Sequence, residues 1–147
     1  MKRNIAILSA IGLMLWSCTE TEFDKVLLPT SEIGGEFVVA LELKPLDITD
    51  VQHIRVFNTA AGGDSLWVED HDFFESQVKV ILNGDNTFGI TNGRDILNDA
   101  AVNISGQVFP ENDSIHIEWT YLQVDIGLGP DDYVVEANGV RYNGLTN

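Results

Sequence analysis

Ser114-Ile115-His116-Ile117-Glu118-Trp119-Thr120-Tyr121 is the stretch on which the reading of the fold turns. Ile115, Ile117, Trp119 and Tyr121 alternate with Ser114, His116, Glu118 and Thr120. Successive side chains of an extended strand point to opposite faces, so this order builds one oily face and one wet face. A helix would scatter the same residues around its axis.

The pattern recurs on both sides of this stretch. Upstream, Phe37, Val39, Leu41 and Leu43 share a parity, with Glu36 and Glu42 on the other and Pro45 as the expected stop. Ile54 and Val56 oppose His53 and Arg55; Leu66 and Val68 oppose Trp67 and Glu69; Val78, Val80 and Leu82 oppose Gln77 and Lys79. Asn83-Gly84-Asp85-Asn86 then marks a tight turn, because Asn and Gly tolerate positive φ. A short strand over 87–90 closes that hairpin. Residues 91–100 (TNGRDILNDA) are the least strand-like part and read as a loop or one helical turn. Strand signal returns over 101–108. Downstream, a Gly- and Pro-rich loop at 127–130 precedes Tyr133, Val135 and Ala137, and Asn138-Gly139 reads as a turn or bulge before Val140-Arg141-Tyr142. Seven or eight short strands on hairpin-length loops predict an all-β antiparallel meander, either a barrel or a sandwich. With the apolar parity turned inward, the candidate ligand pocket is lined by Phe37, Val39, Ile54, Val56, Leu66, Val68, Val80, Ile117, Trp119 and Val135.

Composition narrows the rest. The 147 residues are 44% apolar and 21% charged, an ordinary globular balance for one domain. With 8 basic and 23 acidic residues the formal charge is −15, a field that repels phosphate backbones and argues against a nucleic-acid partner. One cysteine leaves no internal disulfide and no Cys-rich zinc site, and no cofactor is indicated.

That cysteine follows MKRNIAILSAIGLMLWS, residues 1–17. Lys2 and Arg3 precede an apolar run of roughly a dozen residues, which suits a secretory signal and falls short of the ~20 needed to span a bilayer. Leu15-Trp16-Ser17-Cys18 resembles the lipobox of bacterial lipoproteins, with Trp16 bulkier than the usual occupant. The resemblance implies cleavage before Cys18, a diacylglycerol on its sulfur and an acyl chain on its new amino group, a multi-chain and therefore stable membrane anchor. Cleavage takes Lys2 and Arg3 with it and moves the formal charge from −15 to −17. Thr19-Glu20-Thr21-Glu22-Phe23-Asp24 resembles the surface-export signal of Bacteroidetes-type lipoproteins, which implies an outer-membrane protein displayed at the cell surface. Residues 18–33 read as a tether and 34–147 as the domain.

Several blocks of that domain resemble a family of Bacteroidetes lipoproteins named as lipid-binding hydrolases, with a lipocalin-like (calycin) barrel. They are Gly34-Gly35-Glu36-Phe37-Val38-Val39, Phe57-Asn58-Thr59-Ala60-Ala61, Asp64-Ser65-Leu66-Trp67-Val68, Val78-Lys79-Val80, Thr91-Asn92-Gly93, Ser105-Gly106 and Asp113-Ser114-Ile115. The resemblance spans roughly residues 34–142. It implies the barrel and a small apolar or lipid-like ligand, and carries over no catalytic motif. Two other functions compete: a ligandless accessory domain of a surface uptake complex, and a serine esterase.

The esterase reading rests on Gly63-Asp64-Ser65-Leu66, which spells the nucleophile block of GDSL lipases, and on Asp113-Ser114-Ile115-His116, which fits that superfamily's Asp-x-x-His block. It would make Ser65 the nucleophile, His116 the base and Asp113 its orienter. That chemistry needs a strand-to-helix turn after the serine, and Ser65 here opens an alternating strand. Asp70-His71-Asp72, with Glu69 and Glu75 beside it, is a cluster of hard ligands without an EF-hand register or a second histidine at useful spacing, so it reads as a solvated acidic loop. Trp67 sits on the wet parity, at odds with its size.

Overall fold

The computed structural model describes residues 30–44, 46–60 and 63–144. The expected signal peptide, Cys18, residues 19–29 and Pro45 lie outside them. The strands are β1 Gly35–Lys44, β2 Ile48–Asn58, β3 Ser65–Asp70, β4 Ser76–Gly84, β5 Thr87–Asp95, β6 Ala100–Phe109, β7 Ser114–Asp125 and β8 Pro130–Arg141. They pair antiparallel in chain order, and β8 returns to β1, closing the barrel. This is the eight-stranded meander of a lipocalin-like barrel, not a sandwich.

The alternation read from the sequence is the alternation of burial. Phe37, Val39, Ile54, Val56, Leu66, Val68, Val78, Val80, Ile117, Trp119, Val135 and Ala137 are all buried on the inner face. The β4–β5 hairpin turns on Asp85 (φ 48°) and Asn86 (φ 57°), the two positive-φ residues of a type I′ turn, whose twist matches the flanking strands.

Two expectations need correction. Residues 91–95 are not a loop: β5 runs through them, broken by a bulge between Ile90 and Gly93 with Asn92 at φ 51°. The bulge hides the period, which is why the segment looked irregular. Asn138-Gly139 is no turn: β8 passes straight through, and Gly139 lies opposite Val39 so closely that a Cβ there would meet Val38 O at 2.1 Å. Thr30 and Ile33, from the stretch read as tether, are buried against the barrel.

Antiparallel connection gives the barrel two different ends. At the near end the chain enters and leaves. There the Ile33 and Gly34 amides donate to Thr30 O at 3.2 and 3.0 Å, and the Thr30 hydroxyl donates to Asn58 Oδ1. Arg141 rivets this end. Its guanidinium donates to Gly34 O, to Glu32 O at 3.0 Å and to Asp113 Oδ1 at 3.2 Å, and lies 4.9 Å from the centre of the Phe37 ring. A planar five-donor fork is suited to tying three strands' ends together at once. On the outer face, Glu42, Glu136 and Glu118 stand in register across β1, β8 and β7, and Lys44 pairs with Glu136 within that row.

Candidate functional site

The far end carries the loops β1–β2, β3–β4, β5–β6 and β7–β8, and two buried aspartates organise it. Asp70, the last residue of β3, accepts the amides of Asp72 and Phe73 at 3.1 Å each and of Phe74 at 2.9 Å. Three N–H groups on one carboxylate satisfy a buried charge and curl the loop back over the barrel. Asp95, fully buried at the end of β5, accepts from the Gln77 amide at 3.1 Å, the Leu97 amide at 3.0 Å and Asn98 Nδ2 at 2.8 Å. Asn98 Nδ2 also donates to Phe74 O at 2.9 Å, stitching the two loops together.

The curl sets Phe74 against Tyr121, ring centres 4.8 Å apart, with Phe73 edge-on to Phe74 at 4.6 Å. Burial pushes the Tyr121 phenol well above its ordinary 10.0; a hydrogen bond with Ser76 offsets part of that, and the charges of Asp95 and Asp70 add to it. Tyr121 is therefore a fixed, protonated hydroxyl.

Above these rings lies a pocket of about 230 Å³ lined by Phe74, Asn98, Ala100, Tyr121, Val124, Ile126 and Tyr133. Val124 reaches it through a second bulge. The β7–β8 register shifts between Tyr121 and Val124, with Gln123 at φ 54°, so parity flips and Val124 packs toward the core. Asp132 holds that bulge, accepting the Gln123 amide and Gln123 Nε2 at 2.9 Å each; these hydrogen bonds hold the Asp132 carboxyl below its ordinary 3.8. Beneath Phe74 and Tyr121 lies a chamber of about 10 Å³, walled also by Leu41, Asp70, Trp119 and Val135. Phe74 and Tyr121 are thus the partition between pocket and chamber.

The ten lumen residues expected from the sequence all face inward, but they meet one another. Phe37, Val39, Ile54, Val56, Leu66, Val68, Val80 and Ile117 form the packed core, while Trp119 and Val135 wall the small chamber. Usable space lies at the mouth, in residues the sequence did not single out: Phe74, Asn98, Ala100, Val124 and Ile126. Paired aromatics in an acidic loop, Phe73-Phe74, are the one signal that pointed there.

The esterase residues are not brought together. Ser65 opens β3 on its outward parity, next to inward-facing Leu66, and His116 is on the outward parity of β7, four strands away in a ring of eight. Asp113 sits in the left-handed region after a 3-10 turn, bound to Arg141, while His116 Nδ1 bonds Asn138 Oδ1 at 2.7 Å. In the acidic run, Asp70 turns inward and His71 Nε2 sits 2.9 Å from Glu69. Among the described residues no three His, Cys, Asp or Glu side chains are grouped to hold a metal. Trp67 is half-buried on the outside, between Phe57 of β2 and Lys79 of β4. A larger trough of about 540 Å³ also lies outside, open along β1 to β3 beside Gly34, Arg55, Phe57 and Glu69. Comparison with protein-family models and with curated proteins finds no match for the chain.

Proposed function

We propose that this chain is a lipid-anchored, outer-membrane lipoprotein facing the cell surface, whose barrel takes a small apolar or lipid-like ligand at its far mouth. One observation carries the reading: an aromatic-lined pocket of about 230 Å³ opens at the end opposite the one where the chain enters the barrel. A tether attached through Cys18 would join the near end and leave that mouth pointing away from the membrane. The pocket is smaller than the ~300 Å³ at which drug-sized sites begin, so its occupant is a short chain or a single ring. Binding is driven by apolar burial at roughly 25 cal/mol per Å², less the cost of ordering. No covalent step is assigned.

The test is native mass spectrometry of protein purified from its own cells, with a fluorescent apolar probe as a second arm. A co-purified small amphiphile, and probe uptake lost in Phe74→Arg, support the reading. Protein that is repeatedly empty and takes up no probe refutes it. The anchor is tested separately: Cys18→Ala should release the protein from the membrane fraction.

A second reading, an accessory domain docking in a surface uptake complex, is favoured by the filled lumen and by the far rim. There Ile96, Leu97, Ile126 and Leu128 are 50%, 57%, 38% and 71% exposed, an apolar cluster of the kind that marks contact surfaces. Leu97→Asp with Leu128→Asp would abolish such docking while leaving probe uptake intact.

A further inference from the structure

The chamber beneath Phe74 is walled in part by Trp119, which carries an unmatched donor. Trp119 Nε1 is buried, in a residue 3% exposed, and has no hydrogen-bond partner among the described residues. An indole N–H can only donate, and a buried donor left alone is costly. On the same wall stands Asp70, whose carboxylate can only accept. A group filling this chamber can therefore accept from Trp119 and donate into the acceptor capacity that the three amides on Asp70 leave open.

Few groups do both in so little space. At about 10 Å³ the chamber holds one water-sized group. A hydroxyl fits, offering one donor and two lone pairs. A carboxylate would satisfy Trp119 but confront the charges of Asp70 and Asp95. An ammonium would satisfy Asp70 but leave Trp119 unpaired. Access lies past the Phe74 side chain, the half of the partition carried by a loop and half-buried, whereas Tyr121 stands on a strand.

We infer that the far mouth selects an uncharged apolar molecule ending in a hydroxyl, which passes Phe74, accepts from Trp119 Nε1 and donates to Asp70, while its apolar body lies among Tyr121, Val124 and Tyr133. This rests on the mouth-pocket reading above and adds the chemistry of the ligand's head. Trp119 becomes the specificity-determining residue, and a fatty-acid anion is the disfavoured ligand.

The test is an NMR titration of the ¹³C,¹⁵N-labelled protein at pH 7 with 1-octanol, octanoate and octylammonium, following the Trp119 indole N–H and the methyls of Val124 and Ile126. Octanol is expected to bind about tenfold or more tightly than either ion, since each ion leaves a buried charge or donor mismatched. It should shift the indole proton downfield. Trp119→Phe should weaken octanol about three- to tenfold, the worth of one hydrogen bond, and Asp70→Asn should narrow the gap between octanol and octanoate. Equal binding of the three probes, tightest binding of octanoate, or methyl shifts with an unmoved indole would overturn the inference while the pocket reading stands. The last is the outcome expected of a chamber that holds water alone. No shift at any of these positions with any probe would sink both. The ordering of the three probes needs no variant, so the test survives if Trp119→Phe does not fold.

Discussion

Gly106→Ala tests how tightly the lumen is filled. Gly106 of β6 stands directly opposite Phe88 of β5, and the Phe88 ring lies over the space where a side chain would be. A Cβ built on Gly106 falls 2.3 Å from Phe88 Cζ, 2.4 Å from Cε2 and 3.0 Å from Cε1. Comfortable carbon–carbon separation is about 3.5–4.0 Å, so the ring must retreat by more than about 1 Å. Phe88 is 1% exposed and has no solvent to retreat into. Overpacking of this kind costs about 1–3 kcal/mol. Replacing glycine also stiffens the unfolded chain, which offsets about 0.4–1 kcal/mol. The net loss should be about 1–2 kcal/mol, or roughly 4–8 °C in Tm for a domain of this size. Urea denaturation followed by far-UV circular dichroism should show a lower midpoint with unchanged slope. Phe88→Leu alone opens a gap over Gly106, but combined with Gly106→Ala the new methyl fills part of it. The double variant should therefore be more stable than the sum of the singles by about 1 kcal/mol or more. A Gly106→Ala protein as stable as wild type, or a strictly additive double variant, would refute the packing argument.

Other outcomes follow from the same structure. Arg141→Ala should cost about 1–3 kcal/mol in thermal or urea denaturation and speed proteolysis near residues 30–34; Arg141→Lys should rescue little of this, since a point charge cannot reproduce the fork. Asp95→Ala strips the partner from two part-buried amides and from Asn98 Nδ2 and should cost about 1–3 kcal/mol by urea denaturation. Lys44 and Glu136 shift each other's titration: the hydrogen bond between them holds Glu136 below its ordinary 4.5 and Lys44 above 10.5. The pair's contribution is thus present between those ordinary values, lost as pH falls through the lowered Glu136 value and lost again as it rises through the raised Lys44 value. In Lys44→Met, the Glu136 carboxyl carbon should titrate closer to its ordinary value by NMR. Ser65→Ala should leave any hydrolysis of a p-nitrophenyl ester by the preparation unchanged.

What the sequence made legible is what period two encodes. Every strand whose neighbours alternate, β7 above all, was readable together with its inward face, and Asp85-Asn86 announced its own turn. The mouth was harder because bulges and side-chain caps build it. Gln123 and Asn92 each insert a residue that resets the parity, and a pattern scan reads such a reset as the strand's end. Asp70 looked like one more acid in an acidic loop; its role depends on three amides that fold back to it. The seat of Phe74 is a consequence of that fold-back, so its place over Tyr121 had no signature along the chain. Nor does alternation say whether inward side chains leave a void, since Phe88 fills the space Gly106 vacates and only their pairing reveals it.

The seam between β1 and β8 joins the two ends of the described chain. Until the last dozen residues of that ribbon exist, the other seven strands form an incomplete sheet with raw borders on β1 and β7, each able to recruit a stranger. Premature termination anywhere before Pro130 would therefore yield a self-adhesive fragment instead of a weakened barrel.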